Sequence, residues 1–328
     1  MTGYIIRRIL FLIPTVLVIS IIAFILMELP PGDFLTSYIL QLESSGAQVS
    51  EAQIAALRAR YGLDEPAYKR YFLWISGIVT RGDFGRSWNW NRPVVELIIE
   101  RLPYTLVVSL VTMTFQYLVA IPIGIYSAVK RHSLFDYTFT TIGFLGLSVP
   151  SFILALILMF FAYTTFGTSI GGLFSAAYRE APWSFAKFVD LLKHIWIPMV
   201  VTGMSGSASL IRIMRGVMLD ELGKDYIRTA RSKGLRERVV IVKHAVRIAI
   251  NPILSSVTWV LPQVISGGAI TAIVLNLPTL GPLLLQSLIT QDMFVAGGII
   301  LLLSTLTVIG SFISDLLLAW ADPRITYD

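Results

Sequence analysis

The sequence predicts an all-α polytopic membrane protein with six transmembrane helices, and three observations carry that prediction. First, 55% of the 328 residues are hydrophobic and only 14% are charged, with a mean hydropathy of +0.74. A soluble domain has about a quarter charged residues, so a water-facing surface cannot cover this apolar excess. Second, the apolar residues gather in windows long enough to cross a bilayer as helices. Third, the remaining charge is uneven: ten Lys or Arg and four acids lie between Arg212 and Arg247, and no Lys or Arg lies between Ile248 and Pro323.

A hydrocarbon core about 30 Å thick needs roughly 20 apolar residues in a helix. Windows of that kind run approximately Ile9–Leu29, Tyr104–Tyr126, Tyr137–Phe161, Ile195–Ile211, Ile253–Leu275 and Ala296–Trp320. In lipid, backbone groups have no water to bond, and unalternating runs of this length satisfy them as helices. Arg7 and Arg8 precede the first window, as in a signal peptide. Its apolar run is long, however, and Leu29-Pro30-Pro31-Gly32 offers no small-x-small cleavage site, so it reads as a retained span.

Lys and Arg near helix ends set orientation. Arg7 and Arg8 place the N-terminus in the cytoplasm, and six spans then put Lys130, Arg131, the Arg212–Arg247 loop and Arg324 on the same side. The segment from Pro30 to Leu102 faces outward, with eight basic and eight acidic residues. The net charge of +6 is therefore the excess of one loop, which makes it a topology signal and disfavours nucleic acid as a partner. The chain divides into residues 1–29 (cytoplasmic N-terminus and first span), 30–103 (outward loop with short helices) and 104–328 (five-helix core containing the loop 212–250).

The outward loop is long enough to have structure of its own. Ser50-Glu51-Ala52-Gln53 reads as a capping box, followed by Ile54, Leu57 and Tyr61 on one helical face and Gly62 as the stop. Pro66 suits the first turn of a second helix carrying Tyr68, Tyr71, Phe72, Trp74, Ile75 and Ile78, and Pro93 opens a third leading through Leu97 and Glu100 to the second span. Between them, the indoles of Trp88-Asn89-Trp90 suit either interfacial anchoring or stacking on a sugar.

In the basic loop, the stretch Asp225 to Leu235 reads as a short helix with its stop at Gly234. An acid lies near its start and cations lie in its last turn. A second helix runs from Arg236 through Val239, Val242 and Val246 until Asn251-Pro252 turns the chain into the fifth span. Thr229, Ala230 and Gly234 are small enough to let another backbone approach.

At these residues the chain resembles a family. Thr229-Ala230, three residues, then Gly234 matches part of the "EAA" signature of ABC importer permeases, with Arg228 in place of the first Glu. Tyr226 to Gly234 and His244-Ala245-Val246-Arg247 are similar to the peptide/nickel branch, in particular the B-type permease of dipeptide and oligopeptide importers. So are Pro31-Gly32-Asp33, Gly62-Leu63-Asp64, Gly82 to Ser87, Arg92-Pro93-Val94, Glu100 to Pro103, Ser148 to Phe152 and Asp322-Pro323-Arg324. One departure is Thr271-Ala272-Ile273-Val274, where such permeases carry a Val-Glu-Thr-Val-like stretch, so Ala272 replaces an acid.

The resemblance implies the type I importer permease fold in a prokaryotic inner membrane, with both termini cytoplasmic. It also implies a second homologous permease subunit, two ATP-binding subunits that carry ATP and Mg, and an extracytoplasmic solute-binding protein. Arg228, Thr229, Ala230, Arg231, Lys233, Gly234 and Leu235 would then couple to an ATPase, and the 30–102 loop with Trp88, Asn89 and Trp90 would face the binding protein. Peptide is the implied cargo, with an oligosaccharide or another small solute as the alternative.

The residues themselves agree with a non-catalytic role. No G-x-x-x-x-G-K-[S/T] is present, since Gly223-Lys224 is followed by Asp225. The chain has no Cys and three separated His, which leaves no metal or nucleophile constellation. Glu28, Asp136 and Asp315 sit near span ends, which disfavours a self-contained proton-coupled carrier, the alternative of another class. Candidate pathway residues are Gln116, Ser148, Ser151, Ser205, Ser207, Trp259, Gln263 and Ser266. Pro122, Pro150, Pro198 and Pro262 mark kinks or close crossings.

Overall fold

The computed structural model describes residues 2–29, 65–166, 171–266 and 268–321, and the side chains of most of them. The expected capping box at Ser50, its helix to Gly62, and the terminal Asp322-Pro323-Arg324 lie outside these residues.

Among the described residues the fold is helical, with one isolated bridge between Arg86 and Pro93. Five helices are long and apolar enough to cross a membrane, six if one sharply bent pair counts as a single span. Two compact units arise: residues 1–103 with 279–308, and residues 104–278 with 309–328.

In the first unit, α1 (Thr2–Glu28) is apolar almost throughout and exposes Leu10, Phe11, Ile13 and Leu17. The helix α2 (Ala67–Arg81) brings Tyr71 and Trp74 to α1 and leaves Tyr68 and Phe72 exposed. Tyr71 stands edge-on to Phe24 at 5.5 Å and shares a hydroxyl contact of 2.8 Å with Ser20, and Arg70 pairs with Glu28. Gly82 closes α2 in the left-handed region at φ 65°, which a side chain would strain. The helix expected from Pro93 and the second span are one element, α3 (Val94–Val129).

The second unit is organised on α6 (Phe185–Leu222), about 57 Å long at 1.5 Å per residue. The hydropathy window Ile195–Ile211 underestimates it at both ends. Polar residues continue the helix because they are satisfied: Lys187 donates to the Ala181 carbonyl beside the rings of Phe174 and Trp183, and Asp190 accepts from the Ser175 N–H. Two apolar clusters surround α6, one around Leu210, Met214 and Met218, the other around Leu191, Ile197 and Val201.

Two expected spans are not single straight helices. The window Tyr137–Phe161 is α4 (Leu134–Ser148) and α5 (Ser151–Phe166), bent by 106°. Val149 is extended because the ring of Pro150 disfavours helical geometry in the residue before it. The window Ile253–Leu275 is also broken, and it is entered without the expected turn. After α7 (Asp225–Ser232) come α8 (Glu237–Val239), a π-helical segment (Val240–Val246), α9 (Arg247–Ala249), α10 (Asn251–Ser255) and α11 (Val257–Ser266) in one helical run. Pro252 does not end this run because it sits in the first turn of α10, where its missing N–H is not needed. Bonds from Ile250 N to Val246 O and from Leu254 N to Ile250 O carry the ladder through. A separate short helix α12 (Ala269–Val274) follows, then α13 (Leu280–Ile289) and α14 (Met293–Ala321).

Candidate coupling loop and polar helix surface

The basic loop is rigidly joined to α6. Glu221, 5% exposed, ends that helix and accepts from both the Lys224 ammonium and the Tyr226 hydroxyl. Burial, reinforced by Glu221, raises the pKa of the Tyr226 phenol, so the tyrosine remains a donor. One turn on, Ile227 and Ala230 are buried among Val240, Ala245 and Ala249 of the returning helical run. Ala230 is thus small for packing inside the chain, and it is not part of the exposed surface.

The outer side of α7 is exposed and polar. Arg228 pairs with Asp225 at 3.3 Å, Thr229 bonds the Asp225 carbonyl, and Arg231 makes a two-pronged contact with Glu237. Closure follows the expected pattern: Gly234 is left-handed at φ 72°, and Leu235 N reaches back to Ala230 O. A Cβ at Gly234 would meet nothing within 4 Å, so the glycine is required here by conformation. Lys233 and Leu235 are exposed beside it.

The polar residues expected along a pathway separate into distinct environments. Gln116 is buried on α3, against Gly206 of α6, where a Cβ would lie 2.3 Å from its Nε2. Its Oε1 and the Ser207 Oγ are buried without a hydrogen-bond partner among the described residues. Ser205 is half-buried on the same turn. Ser151 and Thr271 share a hydroxyl contact of 2.8 Å, joining α5 to α12. Ser148 is spent on the Phe144 carbonyl. Trp259 and Gln263 are exposed on α11, and the Ser266 side chain lies outside the described set.

Sequence reasoning missed three features. Thr112 and Thr202 meet across α3 and α6, and Tyr117 meets Ser256. A two-pronged ion pair links Arg215 of α6 to Asp136 of α4 at 2.7 and 2.8 Å. The four-residue spacing of Thr112 and Gln116 was a usable signal, whereas the charged pair, 79 residues apart, offered none.

Residues 120–327 match the family model described as "Binding-protein-dependent transport system inner membrane component", and residues 1–110 match its N-terminal companion. The chain belongs to this family. It is therefore a permease subunit of a binding-protein-dependent ABC importer, a non-catalytic, multi-pass protein of the inner membrane.

Relatives align over the full length of the permease. The oligopeptide transport system permease protein AppB of Bacillus subtilis is 35% identical over 100% of both chains. The dipeptide transport system permease protein DppB of Escherichia coli is 31% identical over 100% of this chain and 99% of that one. A structure titled as an inward-facing conformation of the MetNI methionine ABC transporter shares the fold, with a TM-score of 0.55. It has 18% identity and covers 70% of this permease and 97% of that chain.

Two further sites in the permease differ from simple expectation. Ala272, where an acid was expected, is buried with Leu275 and Leu277 in an apolar cluster that would penalise a carboxylate. At the turn between α2 and α3, Trp90 packs with Val94 and Leu97, and Trp88 lies 5.8 Å from Phe294. Both indoles are partly occupied by their own chain, which disfavours a sugar platform, and Asn89 is the exposed member.

Proposed function

We propose that this permease imports di- or oligopeptides, forming half of a heterodimeric pathway with a second homologous permease. Two ATP-binding subunits that carry ATP and Mg drive it, and an external solute-binding protein delivers cargo to the side bearing Trp88, Asn89 and Trp90. The N- and C-termini then lie in the cytoplasm with the basic loop. The relatives that align over the whole chain, an oligopeptide and a dipeptide permease, support peptide as cargo.

One observation carries the coupling assignment: α7 has its inner edge locked into the core by Ile227 and Ala230, and its outer edge exposed at Arg228, Thr229, Arg231, Lys233 and Leu235. A helix held that firmly acts as a lever, so closure of the ATPases tilts α6 and the run after it. That is a rigid-body route to alternating access. Gln116 and Ser207 support a pathway along α3 and α6, since buried polar atoms without protein partners are suited to water or a peptide group.

The test is reconstitution of the permease with its partner permease, the two ATPases and the binding protein in liposomes. ATP-dependent uptake of a labelled di- or tripeptide, absent with the permease alone, is expected. Uptake of an oligosaccharide and not of peptides would overturn the cargo, and ATP-independent uptake by the lone chain would overturn the coupling.

A further inference from the structure

The ten cations of the basic loop differ in what they face. Arg215, Lys224, Arg228 and Arg231 each pair with an acid: Asp136, Glu221, Asp225 and Glu237, and Arg212 lies over the Phe144 ring at 4.9 Å. Lys233, Arg236, Arg238, Lys243 and Arg247 have no ion-pair partner among the described residues, and all five are exposed. Lys233 closes α7; the other four lie on the segment that runs into the membrane.

That segment has two faces. Val240, Ala245 and Ala249 are fully buried against the chain's own core. On the other side, exposed aliphatic residues neighbour exposed cations: Val239 beside Arg238, Val242 beside Lys243, and Ile248 beside Arg247. The π-helical stretch Val240–Val246 bonds five residues apart, so Arg238, Lys243 and Arg247, spaced by five and four, follow one side of the run.

Depth follows from the helical rise. From Ile248 to Ser266 the run holds no Lys, Arg, Asp or Glu and extends about 28 Å, close to the roughly 30 Å hydrocarbon thickness. Arg247 then stands at the hydrocarbon boundary, and Lys243 lies one turn, about 6 Å, further out. The headgroup layer occupies that depth. A free phosphate or a soluble acidic partner would have no use for Val242 and Ile248, 59% and 42% exposed. A phospholipid fits both the cation and the aliphatic side chain next to it.

We infer that Lys243 and Arg247, with Val242 and Ile248, form a binding site for the headgroup of an anionic phospholipid, and that Arg238 extends it toward water. The site lies on the helical run that buries Ile227 and Ala230, so an occupied site braces the base of α7 against the bilayer.

The test is native mass spectrometry of the purified full-length permease titrated with phosphatidylglycerol or with phosphatidylcholine of the same chains. Wild type is expected to retain phosphatidylglycerol preferentially. Lys243→Gln with Arg247→Gln should lose that preference by about fivefold per cation removed, and the charge-preserving Lys243→Arg with Arg247→Lys should keep it. Arg228→Gln, which removes an equal exposed charge elsewhere in the loop, should also keep it. Helical content by circular dichroism checks that each variant folds. Equal retention of the two lipids by wild type, or equal loss in Arg228→Gln, would overturn the site. So would a double Gln variant that keeps lipid but no longer co-purifies with the ATPases, which would make the surface a protein contact.

Discussion

The Ser87 hydroxyl donates to the carboxylate of Asp292 at 2.5 Å, across 205 residues of sequence, and the backbone N–H groups of Trp88 and Asn89 donate to the same oxygen. One buried acid therefore fixes the turn between α2 and α3. Asp292→Ala leaves these donors without their acceptor and should destabilise the permease by about 2–3 kcal/mol. Asp292→Asn keeps one acceptor oxygen and should cost less. Chemical denaturation in detergent, followed by tryptophan fluorescence, measures both.

The same residue gives a pH prediction. Burial raises the Asp292 pKa above the ordinary carboxylate value, against the opposing hydrogen bonds of Ser87, Asn89, Val295 and Trp88. The folded state therefore binds this proton more tightly than the unfolded state. The stabilisation is complete below the unfolded pKa and is lost as pH rises through the folded one. Wild type should gain stability relative to Asp292→Asn on acidification toward pH 4, and parallel curves for the two proteins would contradict this.

Arg215 and Asp136 form a long-range ion pair. Asp136 is 3% exposed in its side chain and also accepts from the His132 N–H. Removing either partner leaves the other charge poorly solvated, at a cost of about 3 kcal/mol. In a double-mutant cycle, Asp136→Asn with Arg215→Gln should cost clearly less than the sum of the single changes. Additive costs would show that the pair does not couple α4 to α6.

Gly206 lets the Gln116 amide approach α6 closely. A methyl group there would push the amide end of Gln116, a flexible side chain, out of its buried place, so Gly206→Ala should lower stability by about 1 kcal/mol. Gln116→Ala opens the space, and in that background Gly206→Ala should be nearly neutral. The thermal midpoints of the four proteins decide it.

How much was legible follows from the range of the forces involved. Hydropathy found the apolar segments, because burying apolar surface in lipid is a property of each segment alone, but it gave neither the ends of α6 nor the breaks inside the windows Tyr137–Phe161 and Ile253–Leu275. Asp225 to Gly234 was legible as a helix for a similar reason, since caps and end charges act within one turn. The Val149–Pro150 bend was marked by a proline whose consequence, kink or full break, depends on what α4 and α5 pack against. The outer ends of α6 were hidden because Lys187 and Asp190 look like span-ending charges until the Ala181 carbonyl and Ser175 N–H are placed beside them. Asp292, the Asp136–Arg215 pair and the burial of Ala230 depend on contacts between distant segments, and no local pattern announces them.

The coupling helix is the centre of the account, and a photo-crosslinking amino acid at Thr229 tests it most directly. Thr229 is exposed and outside the Ile227–Ala230 anchor, so the substitution leaves the fold intact. In the assembled importer, irradiation should join the permease to an ATP-binding subunit, and the same probe at Leu118, exposed on the membrane-spanning helix α3, should not. No ATPase adduct at Thr229 in a complex that still hydrolyses ATP and transports would contradict the assignment.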